Sequence, residues 1–310
     1  MNVMVTGCAG FIGSHVVESL LNSGISVVGV DSLTYAGKYS NMESFLDSIQ
    51  FFELDICNTQ AIQNIVKKSD VGWIINLAAE THVDNSIKSC ESFIHSNING
   101  VRSLLDVCNQ TGCKLLQVST DEVYGSCPGQ SFDEESSFAP GNPYSATKTA
   151  AEHMIFSYHN TYGTTFRTVR MSNNFGPRQH KEKLIPTILR KIKSGEKIPI
   201  YGDGKNIRDW FYVKDCANMV KSVLLNGSDN EVYNLTFSNE KQNLEIVNMI
   251  LEKLNLKFNE CAEFVTDRPG HDFRYSICNK KIMEIVNHSP TDFNEAIQET
   301  IDFYLGEKSE

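Results

Sequence analysis

A chain of 310 residues, 41% hydrophobic and 21% charged, can bury a large core, and its length carries a prior of about two domains. Its formal net charge of -10 argues against nucleic acid or a membrane surface as partner, because polyanions select basic faces. The opening MNVMVTG has no basic leader or apolar stretch, and no apolar run approaches the roughly 18 residues of a membrane span; a soluble cytoplasmic protein is expected. Nine cysteines contain no Cys-x-x-Cys pair, and Cys108 and Cys113, the nearest two, have no partners at metal-ligand spacing. Reduced thiols and no metal site are expected.

Apolar runs at residues 3–6, 25–31, 51–55, 73–78, 115–119 and 166–171 read as strands. Between them, apolar residues fall at helical spacing, as in Phe93, Ile94, Ile98, Val101, Leu104, Leu105 and Cys108. That alternation predicts βαβ units and a doubly wound parallel sheet with helices on both faces. After residue 171 turn-rich pieces appear, at 174–177, 202–204 and 267–270, and a helix at 214–225 followed by a strand at 231–235 suggests a return to the sheet. The predicted division is a dinucleotide-binding domain over 1–172, rejoined by 209–236, and a smaller, mixed substrate-binding domain over 173–208 and 237–310.

Gly7, Gly10 and Gly13 follow the first strand and open a helix. Glycines there permit a tight turn and let backbone N–H groups approach a pyrophosphate at a helix N-terminus. The spacing G-x-x-G-x-x-G is one residue looser than the common fingerprint. Asp31 ends the second strand 18 residues beyond Gly13, near the roughly 20-residue offset of a carboxylate that binds a ribose 2′-hydroxyl. A carboxylate there repels a 2′-phosphate, so NAD is expected rather than NADP. Asp55 ends the third strand, where an adenine fits, or it caps a helix. Ala78 and Ala79 end the fourth, where they admit the cofactor or simply pack.

Tyr144 and Lys148 in Asn-Pro-Tyr-Ser-Ala-Thr-Lys lie four apart on a predicted helix and share a face. An ammonium beside a phenol favours the phenolate, which makes Tyr144 a base near neutral pH. The strand at 115–119 runs into Ser119-Thr120-Asp121-Glu122. Two adjacent carboxylates at a strand's end have no packing use, but they suit chemistry that needs an acid and a base together.

Together GCAGFIGS, DSLTYAG, LAAETHVDNS, STDEVYG, PYSATK, SNNFGP, EKLIP, YGDGKNIRDW and DRPGHD resemble the nucleotide-sugar epimerases and dehydratases of the extended short-chain dehydrogenase/reductase family. The Asp-Glu doublet is similar to that of the 4,6-dehydratases in it. The resemblance implies a Rossmann-type fold and a closed cycle on NAD: oxidation at C4, loss of water across C5 and C6, and return of the same hydride to C6. It assigns Tyr144 as the C4 base aided by Thr120 and Lys148, Glu122 as the C5 base, and Asp121 as the acid for the departing hydroxyl. Phe11, Ile12, Thr34, Ile56, Ser96 and Asn174 join the cofactor contacts. Thr81, Thr120, Asn173, Lys183, Leu184, Pro199, Tyr201, Arg208, Asn243, Arg268 and His271 fall on substrate-lining positions.

The implied substrate is dTDP-glucose, with UDP-glucose an alternative; a 4-epimerase is the nearest rival. For Arg208, a salt bridge with Asp209 is the competing use. Cys8 stands where the family usually has a second glycine, Thr81 replaces serine, Asn85 arginine, Ser96 threonine and Phe175 tyrosine, and none of these removes a catalytic group. Helices around 92–108 and 144–158 resemble those that pair in the family's dimers, so a homodimer is expected, although Met154, Ile155 and Tyr158 could equally be core.

Overall fold

The computed structural model describes residues 1–127, 129–266 and 273–306. Its strands are β1 (Asn2–Thr6), β2 (Ser26–Asp31), β3 (Gln50–Glu53), β4 (Val71–Asn76), β5 (Lys114–Thr120), β6 (Phe166–Met171), β7 (Asn173–Phe175), β8 (Ile198–Tyr201), β9 (Ile207–Tyr212), β10 (Glu231–Leu235), β11 (Glu240–Gln242) and β12 (Ala262–Val265). Its α-helices are α1 (Phe11–Leu21), α2 (Thr59–Lys68), α3 (Val83–Lys88), α4 (Glu91–Phe93), α5 (Gly100–Thr111), α6 (Pro143–Tyr162), α7 (Leu184–Ser194), α8 (Val213–Asn226), α9 (Asn243–Lys253), α10 (Phe258–Cys261), α11 (Lys280–Met283) and α12 (Phe293–Gly306).

Seven strands form one sheet in the order β10-β6-β5-β4-β1-β2-β3, all parallel. Strand order reverses between β1 and β4, which opens a crevice at their carboxyl ends, the general ligand site of a Rossmann-type, doubly wound sheet. Both faces must therefore be apolar, and the inner strands are mostly buried while the edge strand β3 is only partly so. One face is covered by α1 and α8, through Val16, Val17 and Leu20 against Met219, Val220 and Val223. The other is covered by α2, α5 and α6, with Ile62, Val66, Leu104, Leu105 and Ile155 inside. A separate core of Ile185, Ile188, Ile246, Ile250 and Ile297 joins α7, α9 and α12 with the small sheets β11-β9-β7 and β12-β8. None of the described helices is long and apolar enough to cross a membrane.

Some boundaries differ from expectation for local reasons. The third strand stops at Glu53, because the Asp55 carboxylate accepts the Cys57 N–H at 2.8 Å and turns the chain. The fourth stops at Asn76, whose amide oxygen accepts from Thr6 Oγ1 at 2.6 Å and whose Nδ2 donates to Gln117 at 2.8 Å. The helix expected around 92–108 is α4 and α5 joined by a π-helical segment, Ile94–Asn99. Ile155 is core, while Met154 and Tyr158 are partly buried against the same cluster.

Two glycines set the first crossover. Gly7 has φ of +69°, and a Cβ on it would lie 2.7 Å from Ala78 N, while a Cβ on Gly13 would collide with Gly7 O. Only hydrogen at both positions lets α1 start this close to β1.

Across the sheet, Glu152 on α6 meets Arg170 on β6 with side chains 1% and 2% exposed, Nη2 to Oε2 2.8 Å. Arg170 Nε also reaches the carboxylate, and Ser119 Oγ donates to it. Removing one member of a buried pair strands a charge, which costs roughly 3–5 kcal/mol. Glu152→Ala is therefore expected to lower stability by about that amount, read as a shift in the denaturant midpoint; an unchanged midpoint would show the pair to be dispensable.

Candidate active site

The end of β5 is where two neighbouring carboxylates are separated by environment. Thr120 caps a 3₁₀ turn, Asp121–Tyr124, by accepting the Glu122 N–H at 3.3 Å. The same hydroxyl donates to Asp121 Oδ1 at 3.2 Å and is hydrogen-bonded to the Tyr144 phenol. A hydroxyl has one proton and two lone pairs, so Thr120 serves all three groups at once. Asp121 is buried, and its Oδ2 has no partner among the described residues. Burial first, then the charges of Glu122 and Asp209, hold the Asp121 carboxyl well above the usual carboxylate range. Burial thus favours its protonated form. Glu122 is half-buried and accepts from Asn142 Nδ2 at 3.2 Å.

Tyr144 and Lys148 project from the first two turns of α6, which begins with Pro143 after an Asn142–Ser145 capping box. One expectation is corrected here. Burial, then Glu122, pushes the Tyr144 phenol upward, against the smaller opposing effect of the Thr120 hydrogen bond. Lys148 does not offset this, because burial lowers its own pKa to about 8 and its Nζ donates to Val118 O at 2.7 Å. Within the protein alone, desolvation of both groups outweighs their mutual attraction; Tyr144 is a phenol.

The glycine loop fits a dinucleotide. Helix α1 starts at Gly10 with no side-chain cap and no acidic residue in its first turn, which leaves N–H groups of Phe11, Ile12 and Gly13 to an anion. Asp31 is clamped by Ala9 N on Oδ2 at 2.9 Å and by Leu33 N on Oδ1 at 2.8 Å. Each oxygen keeps a lone pair for a ribose hydroxyl. Ala78 and Ala79 lie just past β4, half-buried, and Thr34 is exposed beyond β2. Asp55 pairs with His95 Nε2 at 2.9 Å; the hydrogen bonds from Cys57 and His95 outweigh burial and hold its carboxyl low. Ile56 is buried beneath, and Ser96 is half-buried on the π segment.

Five expected substrate residues, Lys183, Leu184, Pro199, Tyr201 and Asn243, line one cavity of about 270 Å³. Thr81 is hydrogen-bonded to Tyr35. Asn173 and Asn174 lie on β7, each with a buried Oδ1 that meets no donor among the described residues. These two unmet amide oxygens suit a ligand that carries hydroxyl or amide donors. The Arg208 guanidinium stacks 4.7 Å from the Tyr275 ring and donates to Ile207 O, whereas Asp209 turns to Thr236 and Asn239. Neighbours on a strand face opposite sides, which separates the two. Arg268 and His271 lie outside the described residues.

Other groups at the site were not read from the sequence. Tyr35 is hydrogen-bonded to Thr81 and Glu80, and its charge bears on Tyr144. Asn97, on the π segment, donates to Glu80 O at 3.0 Å and Thr147 Oγ1 at 3.0 Å, tying the β4 loop to α6. The described residues also bring Asp55, Cys57 and His95 within 4.8 Å, a donor group that no Cys or His spacing announced.

The sequence profile described as GDP-mannose 4,6 dehydratase matches residues 4–300. The chain belongs to that family. Among its relatives, the low-salt glycan biosynthesis protein Agl12 of Haloferax volcanii is 43% identical over 99% of both chains. The dTDP-glucose 4,6-dehydratase of Streptomyces niveus is 38% identical over 98% of this chain and 93% of its own. DesIV, a dTDP-glucose 4,6-dehydratase of Streptomyces venezuelae crystallised with NAD, superposes with a TM-score of 0.94 at 35% identity, over 98% of this chain and 97% of its own. The resemblance read from the motifs and the 4,6-dehydratase profile thus agree over nearly the whole chain.

In this family member Lys148 is an ammonium below pH of about 8 and neutral above. Its lowered pKa places the loss of that charge within two units of neutrality, not above 10. An alkaline fall in kcat/KM with a midpoint near 8 is expected, since kcat/KM reports the free enzyme. A profile flat to pH 10 would remove Lys148 from the chemistry.

Proposed function

We propose that the protein is an NAD-dependent nucleotide-sugar 4,6-dehydratase, a hydro-lyase that converts dTDP-glucose to dTDP-4-keto-6-deoxyglucose. The observation that carries this reading is the buried Asp121, its carboxyl held upward by burial and one oxygen unpartnered among the described residues, one residue from a half-buried Glu122 and linked through Thr120 to Tyr144. A 4-epimerase needs the tyrosine and lysine but has no use for that pair.

When bound, NAD supplies a two-electron acceptor at C4 and donor at C6. Phe11, Ile12, Gly13 and Asp31 are the residues to hold it. Tyr144, once its own proton has left to solvent, takes the C4 hydroxyl proton as the phenolate, steered by Thr120. The new ketone acidifies C5, whose proton goes to Glu122, and Asp121 gives its proton to the C6 hydroxyl, which departs as water. The half-buried Glu122 exchanges its proton with solvent and returns one to C5, and the proton held by Tyr144 restores Asp121 through solvent. One water is lost, no net redox occurs, and every carboxyl ends as it began. Asp121 suits the acid role because burial keeps it protonated, and Glu122 suits the base role because it is less buried and accepts from Asn142.

The Lys183, Leu184, Pro199, Tyr201 and Asn243 cavity, with Arg208, is assigned to the nucleotide and diphosphate, and Asn173 to the sugar. A homodimer through the helices around 92–108 and 144–158 is part of the same reading, supported by the exposure of Ile94 at 43% and Tyr162 at 58% on or beside those helices.

Turnover in deuterated water should give a 6-deoxy product labelled at C5; an unlabelled C4 epimer retaining its 6-hydroxyl would refute the assignment. In Glu122→Gln, C4 oxidation should persist as reduced-nicotinamide absorbance while water loss falls by about 10²–10⁴-fold, the usual worth of a general base. Side-by-side kcat/KM for dTDP-glucose and UDP-glucose decides the nucleotide, with dTDP-glucose expected to lead.

A further inference from the structure

Apart from the cleft, a cavity of about 620 Å³ opens between the 36–41 segment, the 178–181 turn, α7 and α12. It is lined by Lys38, Arg178, His180, Lys181, Arg190 and Lys193, and no Asp or Glu is among its described lining residues. In a chain of net charge -10, a concave surface with Lys38, Lys181, Arg190 and Lys193 on several walls concentrates positive potential, with Glu18 paired to Arg178 and Glu182 to His180. Arg178 is held through Nη2 by Glu18 at 2.7 Å, yet its Nη1 is buried and meets no acceptor among the described residues. Such a donor calls for an anion. Pro186, Leu189 and the Phe303 ring supply an apolar wall. The volume falls in the range of small-molecule sites. None of these lining residues belongs to the proposed cofactor or substrate contacts.

We propose that this cavity is a second binding site, for a nucleoside diphosphate, with the diphosphate on the cations and the base on the Phe303 side. Planar guanidinium groups recognise phosphate oxygens in pairs, and an aromatic wall accepts any base by stacking. Its described lining residues are distinct from those of the 270 Å³ cavity, so the site is proposed to fill alongside the cleft.

The test uses the full chain saturated with NAD and dTDP, so that the cleft does not contribute, and titrates it with ADP and with inorganic pyrophosphate by calorimetry. ADP is expected to bind one per chain, at least tenfold more tightly than pyrophosphate. The double variant Lys181→Glu, Arg190→Glu, at two exposed positions, should weaken both by tenfold or more with turnover unchanged. Phe303→Ala should weaken ADP and leave pyrophosphate as it was. Failure of either probe to saturate, or binding indifferent to charge reversal, overturns the site. Equal affinities for the two probes overturn the nucleotide assignment.

Discussion

The buried ion pair between Glu152 and Arg170 is the interaction on which the geometry of the site depends. Its partners come from a helix and a strand, and Ser119 of the neighbouring strand donates to the same carboxylate. Three elements are thereby held at one point under the carboxyl end of the sheet. Tyr144, Lys148 and Glu152 recur every four residues, so they form one stripe along α6. Anchoring the stripe at Glu152 fixes where the phenol stands, two helical turns away, relative to the end of β5. The two charges lie where water cannot solvate either alone, so the contact tolerates no slippage.

Above this anchor, function depends on the same physical effect acting unequally on neighbours. Asp121 and Glu122 are adjacent in the chain, but a 3₁₀ turn sends one into the protein and leaves the other half out. Burial then makes the first a stable acid, and its repulsion with the second sharpens the difference. Desolvation also governs Tyr144 and Lys148, where it raises the phenol and lowers the ammonium together. A helical spacing that suggests mutual activation instead yields two groups whose uncharged forms are favoured by the loss of water around both.

Local grammar made much of this legible. The glycine loop, Asp31 and the strand at Phe166–Met171 are read correctly because their signals are short-range: glycine where no Cβ fits, a carboxylate at a strand end, an unbroken apolar run. The return of β10 to the sheet was also visible, as a helix followed by a strand. Contacts over long sequence separations were not. His95 meets Asp55 across 40 residues, Tyr35 reaches Thr81 and Glu80, and the cationic cavity gathers three distant segments. The π-helical widening at Ile94–Asn99 carries no periodicity that distinguishes it from an α-helix, yet it sets Asn97 against Glu80 and Thr147.

By itself the sequence determined the alternation of strands and helices, the glycine loop between the first strand and its helix, and the acid pair at the end of β5, because backbone sterics and side-chain period act over a few residues. Only the tertiary structure decided which carboxylate is buried, that Lys148 donates to a backbone carbonyl, and that Arg208 and Asp209 part company. Those outcomes depend on how much water each group loses, and the depth of burial is a property of the whole packed chain.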